Sequence, residues 1–298
     1  MFKKSIKPQQ TKPATFSEKV ISWIKTIVWA LVVVMILNGV LIASFVVPTP
    51  SMENTVMTGD FLFVNKFIYG PSTPQVIPLL NIPLPFYKFP GIKDPKQGDV
   101  IVFIFPGNRD EVESKEFQYY LKRCVASAGD TLQVIDKHLI VNGKEFAMPE
   151  HAQYDSNEPY HSWEPFHTFP PERGYSRDNY GPIRIPKKGD VVQISTKNIH
   201  EWRIFIRREG HEVSTDGINV LIDGKASNSY TVQKNYCFGM GDNRDHSLDS
   251  RFWGFIPYDN VVGTPMIVYW SWDTNAPIGS ILKKFASLRW NRIGKLIF

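Results

Sequence analysis

Residues 26–47 read TIVWALVVVMILNGVLIASFVV, and no charged residue interrupts them. As an α-helix this stretch would be ~33 Å long, which is enough to cross the hydrocarbon core of a bilayer. A cleavable signal peptide has a shorter apolar region followed by a small-residue cleavage site, whereas this stretch ends in Val46-Val47-Pro48. A buried core helix would carry a polar stripe. The sequence therefore predicts a retained transmembrane helix over residues 26–47.

Positive charge is concentrated at the two ends of the chain. Residues 1–25 carry a single acid and six lysines, namely Lys3, Lys4, Lys7, Lys12, Lys19 and Lys25, and residues 276–298 carry five basic residues and no acid. Because the whole chain has a net charge of +5, the residues between these ends are acidic overall. A nucleic-acid-binding protein would carry its basic excess on the folded body, so this class is excluded. Basic residues before a span stay in the cytoplasm, which places residues 48 onward on the other side of the membrane.

The residues after the predicted helix form short apolar runs between turn signals. Asn142-Gly143 and Asp223-Gly224 each follow a β-branched run, which is the strongest short-range signal for a hairpin. The predicted strands are Phe61–Val64, Val100–Phe105, Thr131–Val134, Leu139–Val141, Val191–Ile194, Asn219–Ile222 and Met266–Trp270. We expect a mainly β, antiparallel domain over residues 48–278, with an inserted or elaborated β region at about 136–231.

Residues 149–186 show no apolar periodicity and are interpreted as a surface loop. His151, His161 and His167 lie in this region, but their spacing fits no standard set of zinc ligands, so no metal site and no cofactor are expected. The only cysteines, Cys124 and Cys237, exclude a disulfide-rich scaffold and a zinc site built from cysteines alone. Each is flanked by apolar residues, which favours buried free thiols over a single bridge between them.

Four segments carry residues suited to chemistry. They are Pro48-Thr49-Pro50-Ser51-Met52 directly after the span, the Gly98–Phe103 strand, the Tyr119–Ala126 strand with Lys122 and Arg123 at its centre, and the polar stretch Gly239–Gly254. Taken alone, the Pro48–Met52 segment is typical of a helix end, and the Gly98–Phe103 segment of a structural strand. Lys122 and Arg123 in the third segment are typical of a solvated strand face. A polar loop enclosed by Phe238 and Phe252-Trp253 is unlike a plain solvent-facing linker.

Together these segments resemble type I signal peptidase, the membrane-anchored bacterial leader peptidase. GDNRDHSLDSRFWG at 241–254 carries the most specific part of the likeness. The order of the anchor, the Ser-Met pair, the Gly-Asp-Val strand, the Lys-Arg strand and this loop also agrees, over roughly residues 26–135 and 232–270. The resemblance implies a serine endopeptidase that removes N-terminal signal peptides from exported pre-proteins, with Ser51 as nucleophile and Lys122 as general base.

The resemblance also implies roles for the residues around this pair. The hydroxyl of Thr49 and the backbone N–H of Ser51 would form the oxyanion hole, and Ser247 would hydrogen-bond and orient the lysine. Asp249 and Arg251 would form an ion pair under the loop, with Asp242 and Arg123 as further support. The positions that would line shallow pockets for small substrate side chains are Phe45, Val47, Met52, Val56, Tyr120 and Leu121.

The sequence departs from the family at two turns. Glu53-Asn54-Thr55-Val56 stands where the family often has Pro-Thr-Leu, and Ala128 stands where a proline usually precedes the Gly-Asp pair at 129–130. These changes affect turn geometry and a pocket wall, and they leave the proposed catalytic pair in place. A lysine acts as a base near neutral pH only if a dry, apolar site lowers its pKa, and Met52, Leu121 and Val125 are candidates for such surroundings.

The expected partners are pre-proteins with signal peptides and the lipid bilayer, with a functional contact to the secretion translocon. The expected location is the bacterial cytoplasmic membrane, crossed once, with residues 1–25 as a cytoplasmic basic tail. Two other functions stay open from the residues alone, namely a Ser-His-Asp hydrolase that uses Ser51 or Ser247 with His246, and a non-catalytic anchored β protein. The basic amphipathic segment 279–298, with Ile281, Phe285 and Leu288 on one helical face, either packs in the core or lies on the membrane.

Overall fold

The computed structural model describes residues 15–73, 76–77, 82–83, 87–155, 167–274 and 285–298. The helices are α1 (Phe16–Val40), α2 (Ile199–Arg208) and α3 (Ser250–Trp253). The strands are β1 (Ile42–Val46), β2 (Asp60–Asn65), β3 (Val76–Ile77), β4 (Ile82–Pro83), β5 (Val100–Ile104), β6 (Tyr119–Ala126), β7 (Thr131–Ile135), β8 (His138–Val141), β9 (Lys144–Glu145), β10 (Tyr180–Arg184), β11 (Val191–Gln193), β12 (Val213–Thr215), β13 (Val220–Ile222), β14 (Lys225–Ser227), β15 (Ser229–Thr231), β16 (Tyr236–Met240), β17 (Ile256–Pro257) and β18 (Val261–Ser271). Some residues named in the sequence analysis lie outside the described ranges, namely Lys3, Lys4, Lys7, Lys12, His161 and Ile281.

The predicted helix over residues 26–47 is wrong at both ends. α1 begins ten residues earlier at Phe16, where Thr15 and Glu18 form a capping box, and it ends at Val40. Residues 42–46 instead form β1, which pairs along its whole length with β2. The apolar run continues from the helix into a half-buried strand, so hydrophobicity alone did not mark the boundary. Within α1, Phe16–Leu37 is long and apolar enough to cross a membrane and is not covered by the described part of the chain.

A seven-stranded antiparallel sheet forms the main body, in the order β1-β2-β18-β5-β6-β16-β17. Its centre is the pairing of β5 with β6, which sets Ile101 opposite Lys122, and β6 in turn pairs with β16. Both sides of the central strands are covered, since β5 is buried from Val100 to Phe103. The predicted strands at 61–64, 100–105 and 266–270 are confirmed, with small shifts in their ends.

Smaller sheets follow β6 in the chain and form the elaborated region. β10-β7-β8-β9 make a four-stranded sheet, β12-β13-β14 a three-stranded one, and β11 pairs with β15. The hairpins at Asn142-Gly143 and Asp223-Gly224 are confirmed, and both asparagine and aspartate adopt positive φ there. The predicted loop over residues 149–186 is wrong for β10, whose register shift against β7 removes the alternation that would reveal a strand.

The described C-terminal residues pack on the main sheet. Ile297 is buried in the same apolar cluster as Met52 and Val56, and the backbone of residues 294–297 hydrogen-bonds with β18. Leu288 forms a β-bridge with Trp272 rather than the predicted face of a helix. This part of the tail therefore follows the core-packing alternative, while Trp290 and Phe298 stay exposed beside it. Both cysteines are buried and unbridged, as expected.

Candidate active site

Ser51, in the turn after β1, lies next to Lys122 on β6, although 71 positions separate them in the chain. Lys122 Nζ donates a hydrogen bond of 2.6 Å to Ser51 Oγ. Both residues are buried, with exposed fractions of 7% for Ser51 and 4% for Lys122. The pair predicted from the sequence is thus brought together in a largely dry place.

Local sequence explains why Ser51 is held there. It lies in a single 3-10 turn, Pro50–Met52, in which Pro50 occupies the first position and Thr49 precedes it in an extended conformation. The next residue, Met52, is fully buried, and its Sδ accepts a hydrogen bond from the backbone N–H of Asp242. The turn is therefore fixed on one side by a proline and on the other by a buried side chain.

Two glycines in β16 and just after it make room for this pair. A Cβ on Gly239 would lie 3.1 Å from Lys122 Cβ, and a Cβ on Gly241 would lie 2.5 Å from the carbonyl oxygen of Ser51. Any other residue at Gly241 would push the nucleophile turn and the loop apart. Sequence reasoning did not assign a role to these glycines, and the Gly-x-Gly spacing at 239–241 is the signal that could have revealed it.

The pKa of Lys122 is lowered to about 8, chiefly because burial disfavours the charged ammonium. The carboxylates of Asp249 and Asp242 oppose that change, while the guanidinium of Arg251 adds to it. In the described part of the chain, no carboxylate lies in ion-pair contact with Lys122 Nζ. A neutral amine is therefore accessible to this lysine at mildly alkaline pH.

Two buried ion pairs fix the loop around Lys122, of which only the pair of Asp249 with Arg251 was expected from the sequence. Arg123 binds both carboxylate oxygens of Asp242, at 2.9 and 2.7 Å, and Arg251 binds both oxygens of Asp249, at 2.8 Å each. Burial raises the pKa of the Asp249 carboxyl, but Arg251 beside it more than offsets this and holds that pKa below its ordinary value. Thr55, which sequence reasoning missed, donates a hydrogen bond of 2.6 Å to Asp242 and so ties the nucleophile loop to the same network.

Thr49 and Ser247 differ in how well they match their expected roles. Thr49 Oγ1 lies 3.4 Å from Ser51 Oγ, next to the atom that would attack the substrate. Ser247 is buried, but its Oγ has no hydrogen-bond partner among the described residues, so the expected bond to Lys122 is not formed. The hydroxyl sits instead against Gly241, where a Cβ would lie 2.3 Å from it.

The histidine needed for a Ser-His-Asp site is engaged elsewhere. His246 Nε2 lies 3.2 Å from Asp155 Oδ2, while the described partners of Ser51 Oγ are Lys122 and Thr49. Within the described ranges, no group of histidines, cysteines and carboxylates could hold a metal ion. The chemistry available at Ser51 is that of a serine beside a buried lysine.

A cavity of about 740 Å³ opens over the pair, and most of its wall is apolar. Five of the six predicted pocket residues line it, but Val56 does not, because it is fully buried under the cavity floor. Sequence reasoning missed other wall residues, which come from strands whose facing side was not assigned and from the loop between β16 and α3. The lining residues are Phe45, Val47, Met52, Tyr120 and Leu121, with Leu62, Val102, Tyr119, His246 and Leu248 among those added.

Comparison with known proteins gives a consistent result. Residues 20–270 match the family model described as signal peptidase, peptidase S26. A signal peptidase I of Helicobacter pylori is 30% identical over 285 residues, covering 93% of this chain and 91% of that protein, and one of Pseudomonas aeruginosa is 29% identical, covering 81% and 69%. A crystal structure of a signal peptidase I from Enterococcus faecalis is 20% identical and covers 58% of this chain and 98% of that one, but its TM-score of 0.26 supports no argument.

Proposed function

The chain belongs to the signal peptidase family, peptidase S26, and on that premise we propose that Ser51 is its nucleophile and Lys122 its general base. The protein is a membrane-anchored serine endopeptidase that cleaves signal peptides from pre-proteins. The observation that carries the proposal is the hydrogen bond of 2.6 Å between Lys122 Nζ and Ser51 Oγ in a buried site.

The first half-reaction needs a neutral lysine. A serine hydroxyl is a poor nucleophile until a base takes its proton. Neutral Lys122 accepts the proton of Ser51 as Oγ attacks the carbonyl carbon that precedes the scissile bond. The tetrahedral intermediate then collapses, the C–N bond breaks, and the ammonium of Lys122 gives its proton to the departing amine. The product is an acyl-enzyme on Ser51 and a free N-terminus on the mature protein.

The second half-reaction repeats the same steps with water. Lys122, neutral again, takes a proton from a water molecule that attacks the acyl carbonyl, and it then returns that proton to Ser51 Oγ. Oxygen anions form in both halves. We assign their stabilisation to the Thr49 hydroxyl and the Ser51 backbone N–H, supported by the 3.4 Å separation of Thr49 Oγ1 from Ser51 Oγ.

The apolar cavity suits the residues that precede the scissile bond. Signal peptides end in small, uncharged side chains, which bind without desolvating a charge. The walls formed by Phe45, Val47, Met52, Tyr120 and Leu121 would take these side chains in shallow pockets. Two ion pairs support the site without touching the substrate, because they hold the loop against which Lys122 packs. They are Asp249 with Arg251 and Asp242 with Arg123.

The anchor sets the location that we propose. α1 would cross the bacterial cytoplasmic membrane once, with its N-terminal end, which carries Lys19 and Lys25, on the cytoplasmic side. The catalytic domain would begin at β1, directly after α1, and would include the C-terminal residues that pack on β18. This arrangement keeps Ser51 close to the membrane surface where a signal peptide presents its cleavage site.

Two contacts outside the catalytic site belong to the same proposal. The exposed side chains of Phe63, Trp290 and Phe298 lie on the described part of the main sheet and tail, and we propose that they rest on an anionic lipid surface. A functional contact with the secretion translocon would deliver the substrate, since pre-proteins emerge from it with their signal peptides still in the membrane.

The catalytic assignment is tested with purified protein in detergent and a pre-protein substrate. Ser51→Ala removes the nucleophile and Lys122→Ala removes the base, so each should abolish cleavage. Lys122→Arg should also be inactive, because a guanidinium does not give up its proton. Lys66→Met is the matched control, since Lys66 is also buried and its pKa is also lowered to about 8 by burial. That variant should cleave at the wild-type rate per folded molecule. Near-normal cleavage by Lys122→Arg or Ser51→Ala would disprove the assignment.

A further inference from the structure

The hairpin of β3 and β4 is carried by a stem of two paired segments, residues 67–73 and 87–93. Backbone hydrogen bonds join the two segments, for example from the N–H of Phe89 to the carbonyl of Pro71 at 2.8 Å. Neither the stem nor the hairpin contributes to the described lining of the catalytic cavity. The reaction described above therefore gives this part of the chain no role.

The first segment of the stem is attached to the end of α1. The N–H of Ser72 donates to the carbonyl of Gly39 at 3.3 Å, and the N–H of Lys66, just before the stem, donates to the carbonyl of Leu41 at 2.9 Å. The apolar span within α1 ends at Leu37, and Gly39 lies only ~3 Å further along the helix. If α1 crosses the membrane, the stem starts at the membrane surface.

The second segment of the stem is fixed to the main sheet by one lysine. Lys88 Nζ donates to the carbonyl oxygens of Tyr258, Asp259 and Val261, at 3.0, 3.0 and 2.5 Å. These carbonyls lie at the start of β18 and directly before it. The stem is thus held between α1 and the catalytic domain.

The sequence of the hairpin is apolar to a degree that is unusual for a surface segment. No charged residue occurs between Lys66 and Lys88, and Asn81 is the only polar residue within residues 76–86. Three residues of this stretch are prolines, namely Pro78, Pro83 and Pro85. Because proline has no backbone N–H, these positions bring no unpaired donor into an apolar medium.

The stem itself exposes large apolar side chains. Ile92 is 71% exposed, and the exposed rings of Tyr87 and Phe89 pack edge to face with their centres 4.9 Å apart. Phe67 is exposed as well. Contiguous exposed apolar groups mark interaction or membrane sites, and aromatic rings are enriched at the membrane–water boundary. Protein interfaces usually carry a polar rim, so the uncharged sequence and the attachment to α1 favour lipid over a protein partner.

We propose that the β3–β4 hairpin and the exposed side chains of the stem enter the bilayer leaflet next to the catalytic domain. They give this domain a membrane contact beside α1, in addition to the lipid contact of Phe63, Trp290 and Phe298. The inference rests on the proposed membrane span of α1 and does not depend on the assignment of the catalytic pair.

The test places a fluorescent label on the hairpin of the full-length protein. Ile77→Cys is labelled with a nitrobenzoxadiazole dye in vesicles of phosphatidylcholine and phosphatidylglycerol, with and without lipids that carry a quenching spin label on the acyl chain. Cys124 and Cys237 are buried, and wild type treated in the same way gives the background. We expect a loss of fluorescence at Ile77→Cys. Ile218→Cys, at an 85% exposed position between β12 and β13, is the control and should keep its fluorescence. Equal retention at both positions would overturn the proposal.

A second labelled position tests whether the hairpin holds the stem in the bilayer. Ile92→Cys should also be quenched by the labelled lipids. Combining it with Ile77→Asp and Ile82→Asp should reduce that quenching, because carboxylates on the hairpin resist transfer into an apolar medium. Combining it with Ile218→Asp should not. Cleavage of a peptide in detergent confirms that each variant is folded. Unchanged quenching in the variant with two aspartates would overturn the proposal.

A label on α1 separates this inference from the proposed membrane span. Val28→Cys, within the apolar span, should be quenched by the labelled lipids. If it is not, the span itself is wrong. If it is quenched and Ile77→Cys is not, only the hairpin contact is wrong. A label at Ile77→Cys that neither the labelled lipids nor aqueous iodide can quench would indicate a protein partner and would also overturn the proposal.

Discussion

Lys122 Nζ and Ser51 Oγ lie 2.6 Å apart, and Gly239 on the neighbouring strand β16 leaves room for the base of the Lys122 side chain. A Cβ on Gly239, which pairs with Cys124 in the β16–β6 ladder, would lie 3.1 Å from Lys122 Cβ, so a larger residue there would crowd the base of the lysine side chain. The same burial that aligns the amine with Ser51 lowers its pKa to about 8. The burial of Lys122 therefore sets both the alignment of its amine with Ser51 and the pKa of that amine.

The pH dependence of cleavage should report Lys122. Since the neutral amine is the active form, kcat/KM should rise with pH along a limb with an apparent pKa of about 8 and then level off. Cleavage of a pre-protein between pH 6 and pH 10 measures this limb. Lys66→Met, which removes another lysine with a similarly lowered pKa, should leave the limb in place. A limb with an apparent pKa near 6.5 would point to a histidine instead.

Keeping Lys122 in this site should reduce stability. Its pKa falls from 10.5 to about 8 on folding, so below pH 8 the folded state carries a cost of about 3 kcal/mol, which fades as pH rises from 8 past 10.5. Lys122→Met removes this cost and loses one hydrogen bond worth about 1 kcal/mol. The inactive variant should thus be more stable than wild type by about 2 kcal/mol at pH 6. Urea unfolding in detergent at pH 6 and pH 10 measures the difference.

The pH dependence of that difference is the discriminating result. If desolvation of the ammonium is the cause, the advantage of Lys122→Met should shrink between pH 6 and pH 10. A gain of equal size at both pH values would indicate improved packing instead. A variant less stable than wild type at pH 6 would contradict the strong burial of the charged form.

The C-terminal segment should stabilise the loop that carries Ser51. Arg292 binds both oxygens of the fully buried Asp60, and Lys295 Nζ donates to the carbonyl of Asn54. Breaking a buried ion pair by removing one partner typically costs 3–5 kcal/mol. Arg292→Met should therefore lower the free energy of unfolding by about that amount. Lys295→Met, whose amine donates to a single carbonyl at a more exposed position, is the control and should cost about 1 kcal/mol or less.

Denaturant unfolding of the two variants beside wild type checks this prediction. Equal, small losses in both would mean that the tail contributes little to the loop and that its basic residues serve mainly the lipid surface. A large loss in Arg292→Met alone supports the core-packing role.

The sequence predicted those parts of the site that depend on motifs and local turns. The Asp249–Arg251 ion pair lies within one contiguous motif, which keeps its own local geometry, whereas Ser51 and Lys122 were assigned from the family resemblance of their two separate motifs. The hairpin turns follow because Asn-Gly and Asp-Gly tolerate positive φ. The mainly β class follows from short apolar runs bounded by such turns.

The errors have a different physical origin, since they depend on how distant segments pack. The end of α1 is hidden because an apolar helix runs directly into the apolar strand β1. Val56 was assigned to a pocket wall, but it is buried beneath the floor by β2 and the C-terminal residues. The unbonded hydroxyl of Ser247 depends on distances between two loops, which no sequence pattern encodes.

The last prediction concerns Thr49, whose Oγ1 lies 3.4 Å from Ser51 Oγ. Pro48 and Pro50 restrict the backbone on both sides of it, so its hydroxyl is held close to the carbonyl that Ser51 attacks. Thr49→Val keeps the shape and removes the donor, and we expect kcat to fall by roughly 10²–10³-fold with little change in KM, as is typical of one oxyanion-hole donor. Thr49→Ser keeps the donor and should retain most of the activity. Steady-state cleavage of a peptide substrate measures both constants. A kcat of Thr49→Val within a few-fold of wild type would mean that another group completes the oxyanion hole, and a rise in KM alone would mean that Thr49 contacts the substrate without serving the chemistry.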